Sequence, residues 1–184
     1  MKYHQIYRTN RKQMRWTDFD YSSQGVYFVT IVVKGRNLLF GSVVDDEMRL
    51  NEAGQMILDQ YYDLEADNLG VQCMDVVVMP NHIHFMVYIP KDGSTNLPKA
   101  MGRFKSKTTN LYIQGVKERG WQRFEGKLWQ RSYWDVIVFN GREFEFIQRY
   151  IALNPSRWNK DAINDNHDIK VDDINGCIKK LKRL

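Results

Sequence analysis

The stretch VQCMDVVVMPNHIHFMVYI, residues 71–89, determines the fold of this chain. It holds two apolar runs of strand length separated by Pro80-Asn81, which predicts two neighbouring strands joined by a turn. The second run begins with His82 and His84, two of the four histidines in the sequence. Alternate side chains of a strand share one face and lie about 7 Å apart along the chain, so both imidazoles can converge on one cation. Ile83 then points the opposite way, into a core.

The histidine pair allows two interpretations. Imidazole is a common ligand of divalent metals, and two histidines leave the coordination of the ion incomplete. A structural zinc site would bring four ligands, so an open site of this kind indicates catalysis. The alternative is a strand whose histidines cap its end and bond to backbone groups.

The remaining sequence alternates between strand and helix patterns. Strands are predicted at residues 25–33 and 133–139, a hairpin at 42–50, and helices at 52–65, 98–117 and from Asn140 to Pro155. Asn51 is predicted to cap the first helix. This order predicts an α+β fold with a ferredoxin-like antiparallel β-sheet flanked by α-helices.

Length and composition favour one domain. The 184 residues are 43% hydrophobic and 13% aromatic, which is enough for a single core. We expect one domain over residues 1–184, with a core at about 25–158, a basic N-terminal arm at 1–24 and a polar, loosely attached C-terminal tail at 159–184. A short helix is possible at 173–181 of the tail. Cys73 and Cys177 are interpreted as packing residues.

Two sequence features bear on the location of the chain in the cell. It has no apolar run long enough for a membrane span, and its first 15 residues lack the apolar centre of a secretory signal. We therefore expect a cytoplasmic protein without a membrane partner.

Charge is strongly segregated along the chain. Residues 1–15 carry five bases and no acid, residues 16–98 carry four bases and twelve acids, and residues 99–131 carry nine bases and two acids. A solvated helix face could explain the last block. However, it also contains five aromatic residues, and cations mixed with flat rings suit phosphates and unstacked bases. We favour nucleic acid as the partner, and we expect the protein to be associated with the nucleoid when it is bound to DNA.

Tyr150 is the best candidate for a nucleophile among ten tyrosines. It lies on the last predicted helix with Asn154 four residues later, so the phenol and a carboxamide oxygen can emerge on one face. The opposite face carries an apolar stripe made by Phe144, Ile147 and Ile151. The alternative is an amphipathic core residue with its hydroxyl at the surface.

Several motifs together resemble a known family. The segments MPNHIH at 79–84 and YIALNP at 150–155 are similar to those of the REP-associated tyrosine transposases, which belong to the single-tyrosine HUH transposase superfamily. The resemblance also includes GVYFVTI at 25–31, LLFG at 38–41, KSKTTN at 105–110 and LWQRSY at 128–133. A lone HxH is a weak signal, but with a downstream Tyr-x-x-x-Asn-Pro it is a strong one.

The resemblance implies an endonuclease and strand-transferase that acts on single-stranded DNA near a hairpin. It implies that His82, His84 and Asn154 bind Mg²⁺ or Mn²⁺, and that Tyr150 attacks the DNA to give a 5′-phosphotyrosine and a free 3′-OH. Related small transposases exchange the tyrosine helix within dimers, whereas the REP-associated group tends to be monomeric, so the chain could be a monomer or a homodimer.

We further expect the basic block to form the DNA path. The predicted DNA-binding residues are Arg103, Lys105, Lys107 and Arg131, with Phe104 or Trp129 as a stacking surface. Two alternatives remain at this point. One is a domesticated hairpin-binding protein that no longer cleaves, and the other is a histidine-metal hydrolase unrelated to DNA.

Overall fold

The structure, a computed structural model, describes residues 24–66, 70–91, 95–161 and 163–164. The predicted basic arm, the possible tail helix at 173–181 and Cys177 lie outside the described residues, apart from Gln24 at the end of the arm. The elements are β1 (Gly25–Val32), β2 (Gly41–Val44), β3 (Glu47–Leu50), α1 (Glu52–Ala66), β4 (Gln72–Met79), β5 (His82–Ile89), α2 (Leu97–Glu118), β6 (Trp134–Val138) and α3 (Gly141–Ala152). A 3₁₀ segment, Pro155–Lys160, follows α3.

Four strands form one antiparallel sheet in the order β4-β5-β1-β6, and β2 pairs with β3 as a separate hairpin. Without that hairpin, the chain order is strand, helix, two strands, helix, strand, followed by α3. This is the split βαβ arrangement of ferredoxin-like folds. The predicted α+β fold class is therefore confirmed.

The two faces of the sheet bury different cores. Ile83 and Phe85 of β5 pack in the larger core together with residues of α1 and α2. On the other face, Met86 packs with Ile147 and Ile151 of α3. The alternation of β5 therefore directs His82 and His84 to the face that α3 covers.

Side-chain caps fix the starts of the helices. Asn51 Oδ1 accepts a hydrogen bond from the Gly54 amide at 2.8 Å, as predicted for α1. Asn140 Oδ1 accepts from the Glu143 amide at 3.0 Å and begins α3. At its other end α3 stops at Ala152, and Pro155, which has no amide hydrogen to donate, begins the 3₁₀ segment.

The chain after Trp158 is more firmly attached than the sequence indicates. Trp158 is 8% exposed and Ile163 is 2% exposed, and the Asn81 amide donates to the Ile163 carbonyl at 3.0 Å. The predicted loose attachment is therefore wrong for residues 159–164, except for Ala162, which is not described. This segment returns to the β4–β5 turn and brings Asp161 to the histidine pair.

Candidate active site

The two histidines lie side by side at the start of β5. Their ring centroids are 4.5 Å apart, and the residues are 0% and 2% exposed. Among the described residues, His82, His84 and Asp161 form a group whose potential ligand atoms all lie within 4.8 Å of one another. The structure therefore brings the predicted pair together and adds a carboxylate that the sequence analysis missed.

Asn81 determines which nitrogen of His82 faces the site. The Asn81 amide nitrogen donates to the carbonyls of Arg36 and Ile163, at 3.2 and 3.0 Å, so its Oδ1 is the acceptor that meets His82 Nδ1 at 2.8 Å. Nδ1 of His82 therefore carries the proton, and the lone pair of Nε2 points into the site. An imidazole held in this way is oriented for metal binding.

Thr30 orients the His84 ring, as Asn81 orients the His82 ring. The two residues are direct cross-strand neighbours in β1 and β5, and Thr30 Oγ1 lies 2.7 Å from His84 Nδ1. The Phe28 ring stacks on the imidazole at 5.5 Å. Both histidines are thus anchored through Nδ1 by side chains, in contrast to the alternative of bonds to backbone groups. In the sequence, Thr30 interrupts the apolar run 26–33. This interruption is the sequence signal from which contact between Thr30 and His84 could have been predicted.

Tyr150 reaches the same site from α3. Its hydroxyl lies 3.4 Å from His84 Nε2, and its ring stands edge-on to the rings of His84 and Phe28, at 5.3 and 5.8 Å. Ile147 and Ile151, which are buried against the sheet, fix the orientation of the helix. The phenol and the histidine pair therefore meet within one chain.

Asn154 also lies at the site, next to His82. It is 3% exposed, and its Oδ1 is buried without a hydrogen-bond partner among the described residues. The same is true of His82 Nε2. Buried polar atoms are almost always paired, so two adjacent unpaired acceptors indicate a missing cationic partner.

Burial keeps both imidazoles neutral. It lowers the pKa of His82 well below the ordinary value, an effect that neighbouring His84 strengthens and Asn154 partly offsets. Burial alone lowers the pKa of His84 to about 3. Burial raises the pKa of Asp161. The hydrogen bond from the Ile163 amide and the charge of Arg36 each lower it in part. Neutral imidazoles are the form that binds metal, so the electrostatics of the site fit a divalent cation.

Acid is expected to destabilise the metal-free protein through these histidines. Their folded pKa lies below the ordinary value of 6.5, so the unfolded chain takes up protons first and stability falls as pH drops from about 6.5 toward about 3. The slope is at most about 1.4 kcal/mol per pH unit for each imidazole. Urea unfolding with a chelator, from pH 7 to pH 4.5, should show a smaller loss for His84→Gln than for wild type. Equal losses would contradict a buried neutral His84.

The structure does not support the predicted stacking surface. Phe104 and Trp129 are 1% and 4% exposed and lie in the larger core, with ring centroids 6.1 Å apart. The indole nitrogen of Trp129 donates to Thr108 Oγ1 at 2.9 Å, so its polar edge is also engaged. The stacking prediction is wrong because the apolar face of α2 packs on the sheet and carries Phe104 inward.

The structure shows specific partners for Lys105 and Lys107, which belong to the predicted DNA-binding residues. The Lys105 ammonium donates to the carbonyls of Gln130, Arg131 and Ser132 at 2.8, 3.2 and 3.2 Å. Lys105 thereby holds the loop that presents Arg131. Lys107 forms an ion pair with Asp63 at 3.1 Å. Arg103 and Arg131 are exposed.

A second basic segment, which the sequence did not indicate, is connected to the histidines through Asn81. Residues 34–36 form a tight turn after β1, with positive φ at Gly35 and Arg36. The Lys34 amide donates to the Leu128 carbonyl at 2.8 Å, which places the turn beside the loop that carries Lys127 and Arg131. We refer to Lys34, Arg36, Lys127 and Arg131 as the basic rim.

Comparisons with known proteins agree with this geometry. Residues 1–154 match the model of the family described as transposase IS200 like. A protein of Haemophilus influenzae, described only as uncharacterized, is 28% identical over 167 residues, which are 84% of this chain and 93% of that protein. A second protein of the same species, named as a candidate REP-associated tyrosine transposase, is 21% identical over 139 residues, 74% of this chain and 73% of that protein.

A solved structure shares the fold. It is that of a REP-associated tyrosine transposase bound to a REP hairpin, with a TM-score of 0.55 and 19% identity over 78% of this chain and 74% of that chain. In the part of the chain that the structure describes, no helix is both long and apolar enough to cross a membrane. The predicted resemblance to this group of transposases is confirmed. Because the family match spans the histidine pair, Tyr150 and Asn154, the chain belongs to the IS200-like transposase family.

Proposed function

We propose that this transposase cleaves and rejoins single-stranded DNA near a hairpin, through a covalent bond between Tyr150 and the DNA. The observation that carries the proposal is the 3.4 Å distance between the Tyr150 hydroxyl and His84 Nε2. It brings a candidate nucleophile to a candidate metal site within one chain. A binding protein would not require this arrangement.

The residues at the site suit a divalent cation. His82 Nε2 and Asn154 Oδ1 are buried acceptors without a partner among the described residues, and His84 Nε2 faces the same space. Two imidazole nitrogens and a carboxamide oxygen can bind a divalent cation but do not select among several metals. The resemblance to the transposase family favours Mg²⁺ or Mn²⁺, and we propose His82, His84 and Asn154 as the ligands. A bound cation would polarise the scissile phosphate and offset its charge.

In the proposed reaction, the Tyr150 oxygen forms a bond to phosphorus and the bond between phosphorus and the 3′ oxygen breaks. The phenol loses its proton to solvent, and the departing 3′ oxygen takes one up. The products are a 5′-phosphotyrosine and a free 3′-OH. One phosphoester replaces another, so a second 3′-OH can reseal the DNA by the reverse step without an external energy source.

The protein contributes orientation to this reaction. Ile147 and Ile151 hold α3 against the sheet, and Phe28 contacts both the Tyr150 ring and the His84 ring. The hydroxyl is therefore placed before DNA arrives, which lowers the entropic cost of reaching the reactive geometry.

We propose that the basic rim and Arg103 guide the DNA backbone to this site. The turn that carries Arg36 lies next to the histidines, since Asn81 bonds both to His82 and to the Arg36 carbonyl. The bond between the Lys34 amide and the Leu128 carbonyl joins this turn to the loop of Lys127 and Arg131. The transposase of similar fold is described as bound to a REP hairpin. A hairpin with a single-stranded flank is therefore the ligand that we propose for this chain.

Removal of two rim charges, by Lys34→Ala with Arg131→Ala, is expected to weaken hairpin binding and to make it less sensitive to salt. Each lost phosphate contact should reduce the slope of log affinity against log salt by about one. Fluorescence anisotropy with a labelled hairpin, over a range of salt concentrations, measures both effects. The matched control is Lys117→Ala with Arg119→Ala at the far end of α2. Equal loss in both double variants would contradict a localised DNA path.

Adduct formation tests the proposed function directly. Wild-type protein is incubated with a labelled hairpin that carries a single-stranded flank, with Mn²⁺, Mg²⁺ or a chelator, and then separated under denaturing conditions. We expect a DNA-linked protein band with at least one of the metals and none with the chelator. Hairpin binding without any adduct in either metal would instead establish a non-cleaving hairpin-binding protein.

A further inference from the structure

Asp161 approaches the histidine pair from the C-terminal side of the chain. Its Oδ2 lies 3.7 Å from His82 Nε2, while its Oδ1 accepts a hydrogen bond from the Ile163 amide at 2.8 Å. The Asp161 amide donates to the Trp158 carbonyl at 3.1 Å, which closes the turn. The carboxylate is thus held in place by its own segment, with one oxygen directed toward the site.

The contact between Asp161 and His82 is not an ordinary ion pair. Asn81 fixes the His82 proton on Nδ1, so the lone pair of Nε2 faces a carboxylate oxygen. Asn154 Oδ1 is a third acceptor nearby, and like Nε2 it is buried without a partner in the described ranges. Arg36 acts on the Asp161 carboxylate but is not among the groups that act on His82, so a cation between the three electron-rich atoms would relieve their mutual repulsion.

We infer that Asp161 is an additional ligand of the divalent cation, so that the cation is held by residues from β5, from the end of α3 and from the C-terminal turn. This inference rests on the proposed function. The carboxylate would contribute a negative charge and a hard oxygen donor, which favours Mn²⁺ and Mg²⁺. The family match ends at residue 154, so this ligand lies in the part of the chain beyond it.

A cation bound in this way would join the C-terminal turn to the sheet. The turn already contacts the site twice, through the Asn81 bond to the Ile163 carbonyl and through the Trp158 ring, 6.0 Å from the His82 ring. Ligation by Asp161 would add a third connection at the centre of the site. Metal binding should therefore slow amide exchange in residues 155–164.

Direct titration of Mn²⁺ without DNA tests the inference. The electron paramagnetic resonance signal of free Mn²⁺ is measured against protein concentration for wild type, Asp161→Asn, His84→Ala and the charge control Asp59→Asn on the exposed face of α1. We expect Asp161→Asn to bind Mn²⁺ at least about 10-fold more weakly than wild type. Asp59→Asn should bind like wild type.

Asp161→Asn also separates ligation from a purely structural role. The new amide can donate to His82 Nε2 and satisfy it without metal, so the melting temperature of the metal-free variant should equal or exceed that of wild type. Mn²⁺ should raise the melting temperature of this variant less than that of wild type. Hydrogen exchange in residues 155–164 should respond to Mn²⁺ in wild type but not in the variant.

The outcomes distinguish this inference from the function on which it rests. If Asp161→Asn binds Mn²⁺ like wild type while His84→Ala does not, Asp161 is not a ligand and the proposed histidine site stands. If wild type itself binds no Mn²⁺ in the titration, both the inference and the proposed metal requirement are overturned.

Discussion

Tyr150→Phe is expected to abolish the covalent protein–DNA adduct and to leave hairpin affinity within about twofold of wild type. The substitution removes only the hydroxyl, the one atom that would bond to phosphorus. The ring keeps its edge-on packing against Phe28 and its place on α3. The bond to His84 Nε2 is long at 3.4 Å, so its loss should change stability little.

The measurement combines the denaturing adduct assay with anisotropy on the same hairpin. Tyr62→Phe is the matched control, because Tyr62 is 52% exposed on α1. It should form adduct at the wild-type rate. An adduct that persists in Tyr150→Phe would assign the nucleophile to another residue, and mass spectrometry of the DNA-linked peptide would identify it.

His84→Ala is expected to slow adduct formation by about 10³-fold or more, because metal-ion stabilisation of the transition state contributes several kcal/mol. The variant removes a proposed ligand and the hydrogen-bond partner of Tyr150. Adduct rates as a function of Mn²⁺ concentration measure the effect. High Mn²⁺ should restore only part of the rate, since the coordination remains incomplete.

Thr30→Val provides the graded comparison for His84. It keeps the imidazole but removes the partner of Nδ1 at 2.7 Å, so the ring is less firmly oriented. We expect a loss of Mn²⁺ affinity of about 10- to 100-fold, typical of residues that orient a ligand. A fully active His84→Ala would contradict the proposed metal site, whereas a Thr30→Val variant as inactive as His84→Ala would contradict a role for Thr30 that is limited to orientation.

The sequence predicted the elements well where the signals are local. Asn51 caps α1 as expected, and the apolar run at 71–89 forms β4 and β5 with the turn at Pro80-Asn81. Errors arose where a residue's role depends on distant packing. In the sequence, Phe104 is an aromatic residue within a basic block. In the structure, it packs against the sheet as part of the larger core.

The periodicity of the sequence indicates which side chains share a face. The two-residue period of β5 places His82 and His84 together, and the helical period of α3 opposes Tyr150 to an apolar stripe, because both periods follow from backbone geometry alone. Long-range packing brings these faces together, sets Thr30 in register with His84 and returns Asp161 to His82. Such contacts join residues 54 to 79 positions apart, and they depend on packing of the whole chain, which leaves no periodic trace in the sequence.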